Sequence, residues 1–288
     1  FYVAVPEKNK NFIEQQIHAQ YPHAEITEEP DYNIFKPQSH IVGAYLWMKH
    51  KSAFPLKTFK KLDNDPLVAL LNPLSKILDD EGALLQFIVR PATSKWRRQG
   101  VKMIRDIKEG QKFEYVARRG WFLRGLHKWM KAVGKKPDPS KQQGDQRYQL
   151  TQMEEEMVKS MEEKISKGGL ETTIRIVSSA NVKEKALMNL ENIINAFSQY
   201  NLYRYGNTLG AGIPKNPGSL ISQSIYRTMR DDKYMVFNTE EMASLWHMPI
   251  PRTETPNIDW LGARKATPPM NIPKEGIILG RAVYRGEE

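Results

Sequence analysis

Apolar and polar positions switch between a two-residue and a 3.6-residue period along this chain, and the switches outline its elements. Residues 1–5 (FYVAV) are β-rich and read as a strand already under way. Over residues 8–20 the period lengthens, with Phe12, Ile13 and Ile17 at helical spacing, and Tyr21-Pro22 stops it. Residues 24–28 and 40–49 (HIVGAYLWMK) return to strand character. Asp65-Pro66 then opens a helix, with Asp65 as N-cap and Pro66 at the first helical position, where its missing N–H costs nothing. Leu67, Leu70, Leu71, Leu74, Ile77 and Leu78 form its apolar stripe, Gly82 ends it, and Pro73 inside it predicts a kink. Residues 83–89 (ALLQFIV) follow as a nearly all-apolar strand, which predicts a central place in a sheet. The order β-α-β-β-α-β is the split-βαβ, ferredoxin-like arrangement.

A similar order returns later. Residues 172–177 (TTIRIV) read as a strand. Asn181 caps a helix carrying Val182, Leu187, Leu190, Ile193, Ile194 and Phe197, and residues 201–205 (NLYRY) return as a strand. A Gly/Pro loop at 206–218 precedes short strands at 224–229 and 234–237. Asn238-Thr239-Glu240-Glu241 supplies a capping box for a helix through His247. Before this module, residues 150–165 place Met153, Met157, Met161 and Ile165 at four-residue steps, an amphipathic helix whose Met stripe reads as packing. The stretch from Pro249 to Pro273 is proline-rich with little periodicity and reads as a linker into a last strand at 277–284. The expected fold is α+β: two ferredoxin-like (split βαβ) modules, 1–94 and 150–249, separated by an insertion at 95–149 and followed by a Pro-rich linker and strand at 250–288. Expected core residues include Leu70, Leu74, Ile77, Phe87, Val89, Ile174, Ile176, Leu190, Ile194 and Phe197.

Charge changes the picture more than composition does. The 288 residues carry a formal net charge of +10. Between Lys95 and Lys136 stand 14 Lys/Arg and three acids, a net of +11, so the other 246 residues sum to −1. The same stretch holds Trp96, Phe113, Tyr115, Trp121, Phe122 and Trp129. Cations neutralise phosphate while flat rings stack on bases, so this mixture suits single-stranded nucleic acid. Residues 121–131 (WFLRGLHKWMK) suit an anionic membrane surface equally well, and a solvated loop is the plainest alternative. The candidate binding residues are Lys95, Trp96, Arg97, Arg98, Arg118, Arg119, Trp121, Arg124, Lys128 and Trp129.

Catalytic chemistry is hard to assemble from what remains. The absence of cysteine excludes disulfides, thiolate metal sites and a cysteine nucleophile, and fits a reducing compartment. Residues 206–215 (GNTLGAGIPK) have the glycines and lysine of a phosphate loop, but Ile213-Pro214 and Asn216 occupy the wrong positions. The six histidines show no metal-ligand spacing, and no nucleophile elbow occurs. No stretch approaches the ~20 apolar residues of a membrane span.

Phe237-Asn238-Thr239-Glu240-Glu241-Met242-Ala243-Ser244-Leu245-Trp246-His247-Met248-Pro249 resembles a signature of the region ahead of the motor in TraG/TraD- and HerA-like type IV secretion ATPases. There a helix of this pattern precedes a proline-rich linker. Thr255-Pro256-Asn257-Ile258-Asp259-Trp260, Ala266-Thr267-Pro268-Pro269, Asp65-Pro66-Leu67 and Gln86-Phe87-Ile88-Val89-Arg90-Pro91-Ala92 are similar to the same region. The resemblance implies a non-catalytic segment of a conjugative DNA-transfer ATPase, positioning the motor and guiding nucleic acid. It implies a P-loop domain downstream as partner, homo-oligomerisation of the parent, and a cytoplasmic place at the inner face of the cell membrane. ATP and Mg would belong to that downstream domain, with no cofactor, metal or catalytic residue in this segment. The alternative is a membrane-peripheral scaffold domain of a secretion apparatus without nucleic-acid binding. Glu240, Glu241 and His247 are expected to cap and pack rather than to hold a metal.

Overall fold

From the N-terminus the elements are α1 (Lys10–Gln20), β1 (His40–Met48), α2 (Pro66–Leu74), β2 (Gly82–Pro91), α3 (Ser94–Lys108), α4 (Phe113–Ala117), α5 (Gln152–Ser166), β3 (Gly169–Ala180), α6 (Lys183–Ala196), β4 (Leu209–Gly212), α7 (Gly218–Ile225), β5 (Met235–Asn238) and α8 (Thr239–Leu245). They belong to a computed structural model that describes residues 1–22, 24–30, 33–117 and 149–249. The prolines and final strand expected at 250–288 lie outside the described residues. Phe1–Asn33 group apart from the body that begins at Ile34. In this first segment α1 carries no buried residue, and Lys10 pairs with Glu28.

The protein is α+β, with an antiparallel sheet of five strands among the described residues. β3 is its centre. β2 lines one edge of β3 along its length, from Gly82 opposite Ser179 to Pro91 opposite Leu170. The other edge is shared, with β1 pairing to Arg175–Ala180 and β5 to Gly169–Thr172, and β4 extends the sheet beyond β1. Strands expected in two separate modules therefore meet in one sheet. Every residue from Glu171 to Ala180 is buried, so β3 needs cover on both faces and both edges. Neither half of the chain supplies that cover alone.

Several expected strands take other forms. Among the described residues, 83–89, expected at the centre, form an edge strand, with Phe87 half-buried and Val89 43% exposed. Residues 1–5 and 24–28 form no strand, and Phe1 and Tyr2 are exposed. Residues 201–205 make a turn because side chains satisfy the local backbone. Asn201 Oδ1 accepts from the Leu209 amide, and Asn207 Oδ1 accepts from those of His50 and Thr208. The loop at 206–218 instead contains β4. The expected strand at 224–229 is the end of α7 and a turn in which Arg227 adopts a φ of 50°. Asn181 does not cap α6; its amide donates to Asp80 Oδ2 at 2.9 Å.

Two cores flank the sheet. On one face Ala44, Leu46, Met48, Ile174, Ile176, Met235 and Phe237 pack under Leu190, Ile193, Phe197 and Tyr200 of the α6 region, with Leu70 of α2. The second core joins Trp96, Met103, Ile104 and Ile107 of α3 to Met157, Val158, Met161 and Ile165 of α5, with Phe54 and Val236. The Met stripe is thus packing, although Met153 remains exposed. Gly169 lets α3 approach β3: a Cβ there would lie 2.4 Å from Trp96 Nε1 and 2.5 Å from its Cε2.

Candidate nucleic-acid interface

α3 divides into two opposite faces. Trp96, Gly100, Met103, Ile104 and Ile107 recur at helical spacing and are buried. Lys95, Arg98, Lys102 and Arg105 recur at the same spacing on the opposite side and are exposed. From Lys95 to Arg105 is ten helical steps, or about 15 Å along the axis. Arg105 lies 3.8 Å from Glu109, and Lys108 reaches Glu162 of α5 at 2.8 Å. Lys95, Arg98 and Lys102 form no ion pair or hydrogen bond among the described residues. They are a row of free cations on a helix whose other face is locked into a core.

The structure separates the candidate binding residues. Lys95 and Arg98 stand on the cationic row. Trp96 does not: at 9% exposure it lies in the α3–α5 core against Gly169, so its ring has no free face for a base. Arg97 turns back to α5, its Nε donating to Ile165 O at 2.8 Å and its Nη2 to Lys167 O at 3.0 Å. It caps the C-terminal carbonyls of a helix, a place where cations are favoured. Arg118, Arg119, Trp121, Arg124, Lys128 and Trp129 lie outside the described residues. Lys102, which belongs to the row, was legible only as part of the charge total.

A second charged group sits where α8 begins. The capping box forms as its sequence predicts, with Asn238 Oδ1 accepting from the Glu241 amide at 2.7 Å and Glu241 Oε2 from the Asn238 amide at 3.1 Å. Glu241 also pairs with Lys164 and accepts from the Leu56 amide at 2.8 Å. Glu240 accepts from Thr58 Oγ1 at 2.8 Å and Lys60 Nζ at 2.7 Å, and it pairs with Lys167. Burial pushes the Glu240 carboxyl up, but the bonds from Lys167, Lys60 and Thr58 outweigh it and hold it at about 2. His247 Nε2 lies 3.0 Å from Asp65 Oδ1, the oxygen that caps α2. The three side chains thus address three different partners. The cleft that Glu240 and Glu241 border, lined also by Leu56, Thr58, Lys60, Lys164 and Lys167, offers about 80 Å3. Small-molecule sites usually offer roughly 300–1,000 Å3, so this cleft suits a structural clasp better than a substrate.

A family model described as a domain of unknown function, DUF8128, matches residues 1–261. The chain belongs to this family. The DUF8128 match takes in α3, the central strand and the α8 clasp. No curated protein and no solved structure matches the chain. Among the described residues of this DUF8128 chain, no group of three or more His, Asp or Glu is placed to hold a metal ion. Among the same residues no helix is long and apolar enough to cross a membrane.

Proposed function

We propose that this chain is a non-catalytic nucleic-acid-guiding module of a DNA-transfer ATPase, contacting phosphates through the outer face of α3. The observation that carries it is the row Lys95, Arg98 and Lys102, exposed and free of ion pairs among the described residues. Exposed cations on a fixed helix bind a polyanion by releasing its counterions, without ordering the backbone first. In the sequence, Arg118, Arg119, Arg124 and Lys128 follow α3 and continue the same charge. Resemblance of the Asn238–His247 stretch to the pre-motor region of TraG/TraD- and HerA-like proteins supports the wider setting. There the chain would position a downstream P-loop domain, where ATP and Mg would act, in an oligomeric parent at the cytoplasmic face of a membrane. The clasp that ties α8 to the 54–60 segment and α5 suits a module that must hold its shape while a motor works beside it.

The test is binding of labelled single-stranded oligonucleotides as a function of salt. Lys95→Glu, Arg98→Glu and Lys102→Glu together should reduce the log–log salt slope by about 2, taking roughly 0.7 per phosphate contact. An unchanged slope in a variant that melts like the parent removes α3 from the interface. Vesicles rich in anionic lipid are the control: binding to them but not to oligonucleotide would favour a membrane-surface scaffold.

A further inference from the structure

Trp47 lies flat on a strand built with glycine. In the β1–β4 ladder Trp47 stands opposite Gly210, and Tyr45 opposite Gly212. A Cβ on Gly210 would approach the indole Cζ2 to 2.8 Å and Cε2 to 2.9 Å, and one on Gly212 would stand 4.0 Å from Nε1. The indole therefore runs along β4, one face against backbone that only glycine leaves uncovered. The ring stays accessible from outside: Trp47 is 42% exposed, and it makes no hydrogen bond among the described residues.

One cation follows Trp47 in the sequence, and another lies over the ring of Tyr45 on the same strand. Lys49 follows directly on β1, its amide donating to Thr208 O at 3.0 Å where the ladder ends, and it is exposed and in no ion pair among the described residues. Two residues before Trp47, about 6.8 Å along the strand, Tyr45 carries the Arg230 guanidinium 5.3 Å from its ring centroid. Arg230 is itself gripped by Asp232, at 2.9 and 2.6 Å, so the free cation nearest Trp47 in the sequence is Lys49. Aromatic cover of a sheet glycine is a stabilising device in its own right. It accounts for where the ring lies, but not for the free charge two residues away.

We propose that Trp47 is a stacking platform for one base of single-stranded nucleic acid, with Lys49 on the adjoining phosphate. The site rests on the nucleic-acid function proposed above and adds a base contact to the phosphate contacts of α3. A base in a duplex keeps both faces inside its stack, so the platform selects single strands. Stacking is tolerant of sequence, because every base presents a π-face.

The test compares the full chain's affinity for oligo-dT and for an abasic strand of equal length at low salt. The parent should prefer oligo-dT about ten-fold or more. Trp47→Leu keeps an apolar cover on Gly210 and should abolish that preference, leaving abasic binding and its salt slope unchanged. Lys49→Gln should lower the slope by about 0.7 for both strands. If Trp47→Leu fails to fold, photocrosslinking of a bromodeoxyuridine oligomer to the unaltered protein gives a direct readout, with the adduct expected on Trp47. A crosslink elsewhere, or a preference that survives Trp47→Leu, overturns the platform. Equal binding of both strands by the parent overturns it while leaving the role of α3 standing; binding of neither overturns both.

Discussion

Lys164 and Glu241 form an ion pair out of contact with water: Nζ lies 2.8 Å from Oε2, and the side chains are 1% and 2% exposed. The ammonium donates further to Phe54 O at 3.2 Å. The carboxylate holds the amides of Leu56 and Asn238. Burial pushes the Lys164 pKa down, against the pull of Glu241. The pair joins α5 and α8 to the loop after β1, three parts of the chain brought together only by folding.

Removing one partner strands the other charge. Lys164→Met or Glu241→Gln should each cost about 3–5 kcal/mol in urea unfolding. The double variant Lys164→Met with Glu241→Leu should lose clearly less than the sum of the single losses. Additive losses would mean that the two side chains act independently.

Glu240 predicts a pH dependence. Its carboxyl sits at about 2 in the folded chain against an ordinary 4.5. Its contribution is therefore complete above pH 4.5 and disappears as pH falls from 4.5 towards 2. The loss should be on the order of 2 kcal/mol, since Lys60 is half exposed to screening solvent. Unfolding free energies measured at steps of pH should fall less steeply in Glu240→Gln; an identical profile refutes the assignment.

Gly169→Ala should destabilise by about 1–3 kcal/mol, because the new methyl meets the Trp96 ring at 2.4–2.6 Å and a rigid indole cannot step aside. Combined with Trp96→Leu, the glycine change should cost less than it does alone. A Gly169→Ala protein with the parent's melting temperature would show that α3 does not press on β3.

Arg97 and Arg98 are neighbours with opposite predicted effects. Arg97→Ala should lose about 1.5–3 kcal/mol of stability, through the freed carbonyls of Ile165 and Lys167, with polyanion binding unchanged. Arg98→Ala should change stability by less than about 0.5 kcal/mol and lower the salt slope by about 0.7. Thermal melts and salt titrations of the two variants decide it, and the same outcome for both would remove the distinction.

Local interactions were legible in the sequence. The Asp65-Pro66 start of α2, the capping box of α8, the period of α5 and the strand at 40–48 each depend on residues within a turn or a few positions of one another. The charge of α3 was legible for the same reason: it is a count. Which side chains stay free was decided elsewhere. Trp96 and Arg97 look like binding residues beside Lys95 and Arg98, and only the docking of α3 on α5 and Gly169 turns the first into core and the second into a cap. Strand order was decided in the same way. Residues 83–89 look more apolar than β3, yet β3 takes the centre because both halves of the chain can pair with it. Glu241 reads as a helix cap, while its bonds to Lys164 and to the Leu56 amide, 185 positions away, belong to burial. Side-chain pattern sets the element; long-range desolvation chooses its partners, and no local window contains that choice.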